Sequence, residues 1–307
     1  LNTSPDVSSQ HTPHYLTYAL LTAVALIWGG TFVAGRQLAM DTPPMLSASL
    51  RFLLAAVALY LFLPNKRVWQ RFPKRHILRL ILMGACGIYA YNLCFFYGFQ
   101  WISASRGSLI VALNPAAIGL VSFVFLHERL KPVQWFGIGL SILGVVMVIL
   151  AKDDQALATS GESWLGDVLL LGCVASWAAY SLIGKPVIEE IGARLAVFHS
   201  LWIGALLLTI TASLMGDLTL QSLQGLDKSE WLSLIFLGVF GSAIAYVWYY
   251  RGIELVGATQ AGSFISLVPV FGVILGVLIL NEAVTPLTLG GGALAVFGVY
   301  LCNRKSS

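Results

Sequence analysis

Long apolar runs separated by short polar breaks dominate the 307-residue chain. Ten such spans can be drawn, over residues 15–39, 45–63, 77–97, 105–126, 133–151, 164–184, 195–215, 231–250, 258–280 and 286–302. Each approaches the ~20 apolar residues that a helix needs to cross a bilayer. The breaks carry helix-ending residues, namely Pro43-Pro44, Pro64, Pro73, Pro132, Pro186 and Pro286. No run of alternating ~10-residue segments suggests a barrel, and open strands would leave backbone groups unpaired in lipid. The pattern predicts an all-α integral membrane protein with ten transmembrane helices. Residues 1–14 are polar, contain Pro5 and Pro13, and read as a disordered tail. The first apolar run is long enough to span, so no cleavable leader is expected.

Composition agrees with this picture. The chain is 58% hydrophobic and only 10% charged, against about 25% charged in a soluble domain. So few charges cannot cover a globular surface, which excludes a soluble enzyme, a nucleic-acid binder and a disordered scaffold. The net charge of +4 is small and dispersed, and implies no polyanionic partner. Its placement is informative. The 64–79 stretch holds Lys66, Arg67, Arg71, Lys74, Arg75 and Arg79, and ten spans put it on the side of both termini. Arg129, Lys131, Lys185, Arg194, Arg251, Arg304 and Lys305 collect there too, while the opposite loops carry Asp153, Asp154, Glu162, Asp217, Asp227 and Glu230. The positive-inside rule then predicts a cytoplasmic location for both termini. Cys86, Cys94, Cys173 and Cys302 lie within or at the end of apolar segments, without a CxxC pair, and read as small packing residues.

The chain also repeats itself. A shift of 154 aligns Gly84 with Gly238, Gly87 with Gly241, Ala104 with Ala258, Pro115 with Pro269, Glu128 with Glu282 and Pro132 with Pro286, without a gap. Spans 1 and 6 match at a shift of 149, through Trp28/Trp177, Gly35/Gly184 and Arg36/Lys185. The chain is therefore expected to form two five-helix halves, 15–151 and 164–302. Because five is odd, the second half enters the membrane from the opposite side. Such inverted repeats recur in alternating-access transporters.

Several segments resemble one family. Ile27-Trp28-Gly29-Gly30-Thr31-Phe32 is similar to the opening motif of the drug/metabolite transporter superfamily. So are Leu50-Arg51-Phe52, Asn114-Pro115, Leu126-His127-Glu128, and, in the second half, Val268-Pro269 and Leu280-Asn281-Glu282. The chain resembles the ten-helix EamA-type exporters, and among them the bacterial amino-acid exporters. The resemblance implies that spans 3, 4, 8 and 9 surround a central cavity in a bacterial inner-membrane protein.

The residues suggest what such a cavity would hold. Pro115 and Pro269 lie near the middle of spans 4 and 9, and each leaves a carbonyl, that of Val111 or Ile265, without its helical partner. Two readings stand: static kinks, or paired hinges that flex beside the pathway. Span 3 is crowded with aromatics, and span 8 with Tyr246, Trp248, Tyr249 and Tyr250. Trp248, Tyr250, Phe99 and Trp101 suit an interfacial belt. Tyr89, Asn92, Phe96, Ser242, Tyr246 and Tyr249 lie nearer mid-depth and are candidate substrate-binding residues, joined by Asn114, Ser263 and Ser266. Trp28 and Trp177 are either packing or cavity wall. Glu128 and Glu282 follow helix C-termini, where the macrodipole disfavours an anion; each caps the next helix or latches a gate. Arg51 and His199, about two turns into their spans, read first as structural residues that snorkel, with a role in the pathway as the alternative. Gly137/Ser141/Gly144 and Gly291/Ala295/Gly298 give spans 5 and 10 a small-residue seam, for packing within a monomer or between two copies.

No metal-ligand spacing or phosphate loop occurs, so no cofactor and no enzymatic activity are expected. No Asp, Glu or Lys lies at mid-depth. Tyr, Trp, Asn, Ser and bent backbone suit a neutral or zwitterionic solute with an apolar body. The sequence thus predicts a facilitative exporter of small metabolites, and the resemblance to the amino-acid exporters implies amino acids with apolar or aromatic side chains above all. The alternatives are a drug or quaternary-ammonium exporter with a cation–π cage, and a non-transporting scaffold or lipid-handling protein.

Overall fold

The computed structural model describes residues 14–62, 74–151 and 163–303. Of the expected tail (1–14), His14 starts the first helix; residues 1–13, Lys66, Arg67 and Arg71, the acidic Asp153, Asp154 and Glu162, and Arg304 and Lys305 lie outside the described residues. Ten helices are long and apolar enough to cross a membrane, and no strand occurs among the described residues. They are α1 (His14–Asp41), α2 (Pro44–Phe62), α3 (Lys74–Gly98), α4 (Ala104–Leu126) and α5 (Pro132–Leu150), then α6 (Ser163–Ile191), α7 (Ala193–Leu214), α8 (Lys228–Val256), α9 (258–280) and α10 (Pro286–Asn303). Consecutive helices alternate in direction. The end where α1 starts and α10 finishes is called proximal below, and the opposite end distal.

Two boundaries differ from the sequence expectation, for local reasons. α6 passes the expected stop at residue 184 and runs through Pro186 to Ile191. Pro186 lacks an N–H for the Leu182 carbonyl, a loss the helix tolerates in its last turns. α8 starts at Lys228 because Asp227 Oδ1 accepts from Glu230 N and Glu230 Oε2 from Asp227 N, both at 2.7 Å. This reciprocal capping satisfies donors that a helix start leaves open. Gly257, at φ 85°, ends α8 and permits the tight turn into α9.

Local irregularities recur at the repeat spacing. α3 contains a π-helical stretch, Gly84–Ala90, and α8 contains another, Phe236–Ile244. α4 is broken into Ala104–Val111 and Asn114–Leu126, and α9 into Ala258–Ile265 and Val268–Leu280. Pro115 and Pro269 each stand in the first turn of the second segment. α4 and α9 both end on a left-handed residue, His127 (φ 54°) and Asn281 (φ 52°), residue types enriched in that conformation.

α1 packs on α8 and α9, α2 on α7 and α8, and α3 on α6 and α7; the first segment of α4 packs on the second segment of α9, and the second segment of α4 on α6. α5 and α10 pair with each other along the small-residue seam. A β-carbon on Gly137 would lie 2.6 Å from Gly298 O, and one on Gly291 2.6 Å from Gly144 O. The seam is therefore an intramolecular interface in which backbones touch. Leu61, Phe125, Leu150, Leu214 and Leu278 project outward, an apolar exterior that suits lipid rather than water.

Candidate functional site

A cavity of about 480 Å³ lies at mid-depth and reaches the proximal end at Asn303. Two aromatic clusters form much of its wall. Trp28 Nε1 donates to Gly241 O at 3.0 Å, a carbonyl in the π-helical stretch of α8. The Trp28 ring sits 5.6 Å from Tyr246 and 5.3 Å from Tyr249. In the other half, Trp177 stacks on Tyr180 at 5.2 Å and meets Tyr91 edge-on at 6.0 Å. These separations fall within the range where aromatic pairs attract. The rings offer broad apolar faces with a few polar atoms at their edges.

The polar part of the wall comes from α2, α3 and α4. Arg51 is buried, seven residues into α2, about 10 Å below the distal end of the helix. Its Nη1 donates to Asn92 Oδ1 at 3.1 Å, and Asn92 Nδ2 donates to Ile88 O at 2.7 Å. The guanidinium also lies 5.1 Å from the Phe52 ring centroid and 5.5 Å from that of Phe95. Among the described residues no carboxylate pairs with Arg51, and its buried Nε has no hydrogen-bond partner. Asn114 Oδ1, on the same cavity, is likewise buried and without a partner.

The structure brings most of the expected residues together. Trp28, Asn92, Asn114, Trp177, Ser242, Tyr246, Tyr249 and Ser266 line the cavity, as do Pro115 and Pro269. Three expected residues do not. Tyr89 turns toward α7, where its hydroxyl accepts from Thr211 Oγ1 at 3.1 Å. Phe96 is fully buried in the helix-packing core. Ser263 is exposed and donates to Gln260 O at 2.7 Å. The π-helical stretch in α3 explains Tyr89, because it turns the residues before Asn92 away from the face a regular helix would give them; Phe96, one regular turn beyond Asn92, falls instead among the packed rings of the closed end. Tyr91 and Tyr250 line the cavity instead. Phe99, expected in the interfacial belt, is fully buried and meets Phe95 edge-on at 4.7 Å. Trp248 is exposed, as a belt residue would be. Arg51, expected to snorkel, was legible only as an ionisable side chain inside a span, which by itself marks a functional-site candidate.

The distal end is closed. Phe32, Phe95 and Phe99 pack together beneath it, and Arg36 Nη1 donates to the Phe99 carbonyl. Arg106 holds Asp167 in a two-point pair, Nε–Oδ1 and Nη2–Oδ2 both at 2.7 Å, and also donates to Ala151 O and Ile149 O. Both partners are buried, so this planar fork ties α4, α5 and α6 together. Thr42 Oγ1 donates to Glu230 Oε1 at 2.5 Å between α1 and α8.

The two glutamates differ from the expectation and from each other. Neither caps the helix that follows it. Gln134 Oε1 accepts from Lys131 N at the start of α5, and Thr285 Oγ1 accepts from Thr288 N at the start of α10. Glu282 is buried and caps α4 instead, accepting from Ala104 N at 2.6 Å and Ser105 N at 2.8 Å. The anion thus leaves the negative end of α9 for the positive end of α4. Glu128 is exposed at the proximal end and pairs with Lys185 Nζ of α6 at 2.5 Å.

Sequence comparison defines the kind of protein this is. The model of the EamA-like transporter family matches residues 16–150 and again 164–304, and the chain belongs to that family. It is a transporter-family membrane protein of the drug/metabolite superfamily, as the sequence motifs imply. The uncharacterized transporter YyaM of Bacillus subtilis is 26% identical, over 94% of this chain and 94% of that protein. A protein named "Probable amino-acid metabolite efflux pump" from Salmonella typhimurium is 30% identical, over 92% and 93%. A "Probable terminal-alkyne amino-acid exporter" of Streptantibioticus cattleyicolor is 28% identical, over 93% of each chain. One crystal structure superposes with a TM-score of 0.63 over 94% of this chain and 96% of its own, at 19% identity, a likeness of fold alone.

Proposed function

We propose that this chain exports small metabolites with an apolar or aromatic body, amino acids foremost, across the bacterial inner membrane by alternating access. One observation carries the reading: an aromatic-walled cavity at mid-depth, open toward the proximal end and closed at the distal end. Its size suits a metabolite rather than a lipid or a peptide. Relatives named for amino-acid or amino-acid-metabolite export support the substrate class. The two halves act as inverted repeats that exchange roles, with Pro115 and Pro269 as their paired hinges. The basic residues at the proximal end support a cytoplasmic location for both termini, and with it a cavity that faces the cytoplasm in this conformation. A cavity of this volume argues against a filled, non-transporting scaffold, and a buried guanidinium in its wall argues against a quaternary-ammonium substrate.

The test is counterflow in proteoliposomes against a panel of apolar and aromatic amino acids and cationic dyes. Exchange of amino acids is expected. Exchange of dyes alone, or of nothing, would overturn the substrate reading. Thiol labelling of single cysteines in the 64–79 loop from the periplasm would overturn the orientation.

A further inference from the structure

We infer that Arg51 and Asn114 form a polar pole in the central cavity that takes an α-amino acid by both of its charges, carboxylate on Arg51 and ammonium on Asn114. This rests on the transport reading and deepens it. The guanidinium is buried, aimed by Asn92, backed by two rings, and unpaired with any carboxylate among the described residues. Keeping a cation in the membrane interior without a counter-charge is unfavourable. An arriving carboxylate relieves that cost through a charge-assisted hydrogen bond to the guanidinium of Arg51, which lines the cavity. Asn114 Oδ1 is the complementary acceptor on the same wall. It stands at the break in α4, where the segment Ala104–Val111 ends and Asn114–Leu126 begins. Such a break presents carbonyls from one segment and N–H groups from the other, suiting a zwitterion. The Trp28 and Trp177 clusters then receive the side chain.

The test uses one aromatic body with different charges: phenylalanine, phenylalaninamide, 3-phenylpropionate and phenethylamine. Binding is read from quenching of tryptophan fluorescence, and translocation from counterflow. Phenylalanine should exceed the amide and the amine at least tenfold in the parent protein. Arg51→Gln should abolish that preference, and Arg51→Lys should restore part of it. Asn114→Leu should weaken phenylalanine while leaving 3-phenylpropionate unchanged. If the panel is neither bound nor moved, the substrate reading falls and this site with it. If amino acids are moved but Arg51→Gln lowers all four probes alike, the site alone is overturned. Should Arg51→Gln fail to fold, the Arg51→Lys and Asn114→Leu profiles decide.

The geometry points to a second device, carried by the unlike states of Glu128 and Glu282. Each main helix pairing has its repeat counterpart: α1 on α9 with α6 on α4, α2 on α8 with α7 on α3, and α1 on α8 with α6 on α3. Among the extensive pairings, one lacks its counterpart. The second segment of α9 lies against the first segment of α4, so that a β-carbon on Gly272 would sit 2.6 Å from Ser108 Cβ. The matching contact would join the second segment of α4 to the first segment of α9, around Ile118 and Gly262. Both residues line the cavity, and a β-carbon on Gly262 would meet nothing within 4 Å. Glu282 seals the closed contact by capping α4; Glu128, its repeat mate, stands off on Lys185, the mate of Arg36. In the opposite conformation Glu128 leaves Lys185 to cap the start of α9 at Ala258, and Glu282 leaves α4 for Arg36. Each glutamate thus exchanges a basic side chain for a helix N-terminus.

Thiol labelling in a cysteine-free background reads this exchange at Gly262→Cys, proximal, and at Ser108→Cys, distal. Glu282→Gln should lower labelling at 262 and raise it at 108, each about fivefold. Glu128→Gln should do the reverse at 108 under substrate turnover, holding the distal end shut. Equal labelling in parent and variants, or shifts of the same sign for both glutamates, would overturn the exchange. Glu128 is exposed, so its variant remains informative if Glu282→Gln does not fold.

Discussion

Arg106 and Asp167 show what a buried charge needs in this molecule. All three nitrogens of the guanidinium have partners, with two bonds to the carboxylate and two to carbonyls that end α5. Removing one member strands the other, at a cost of about 3–5 kcal/mol. We expect Asp167→Asn to lower the melting temperature in detergent markedly, and a combined Arg106→Met, Asp167→Leu variant to recover part of the loss. A single variant that melts with the parent would mean that water reaches the pair. Arg51 differs because its Nε has no partner. The sequence carried both arginines equally plainly. It could not separate them, because the difference lies in which helices arrive opposite: α6 brings Asp167 to Arg106, while α3 brings only Asn92 to Arg51. Glu282 was legible as an ill-placed anion at a helix C-terminus, but its true partner, the start of α4 at Ala104, lies 178 positions away in the chain. Only the fold joins them.

At the scale of helices, the spans, the mid-span breaks and the small-residue seam were all written in the apolar pattern, in Pro115 and Pro269, and in the glycines of α5 and α10. Two π-helical stretches were not. Nothing in Gly84–Ala90 or Phe236–Ile244 distinguishes i→i+5 from i→i+4 bonding locally, since packing against α7 and α2 selects it. That hidden turn is why Tyr91, rather than Tyr89, faces the cavity beside Asn92. The breaks lead to a prediction. Pro115→Ala or Pro269→Ala returns one backbone donor and favours a continuous helix. Transport should fall at least severalfold while thermal stability holds or rises, as with other stabilising changes that remove a functional irregularity. Wild-type rates in both single variants would make the bends static packing features. The seam gives a contrasting outcome. Gly137→Ala places a methyl within 2.6 Å of Gly298 O, so stability itself should drop and α5 and α10 should separate.

For the whole molecule, the asymmetry between the ends is coupled to the question of what drives transport. The distal end holds a buried ion pair between α4 and α6. At the repeat-related proximal position, Tyr18 and Gln260 make only an exposed 3.5 Å hydrogen bond between α1 and α9. The closed end is therefore held by a buried ion pair, whereas the ion pairs at the open end, Glu128–Lys185 and Arg194–Glu254 among them, are exposed, so a solute that bridges the two halves can tip the balance. A proton-driven exporter needs in addition a group that titrates on the pathway. Among the described residues no Asp or Glu lines the cavity. Arg51 does line it, but arginine does not release its proton. His199 is half-buried on α7, beside Phe198, and is not part of the cavity wall. We therefore expect export down the solute's own gradient, sustained by a high cytoplasmic concentration. Proteoliposomes with equal substrate on both sides and an imposed pH gradient should show no net accumulation. Uphill accumulation that collapses with a protonophore would refute this. Its loss in His199→Gln would then identify the histidine as the coupling group, and its persistence would point to the end glutamates, whose exchange between a basic side chain and a helix N-terminus is the remaining place where a proton could act.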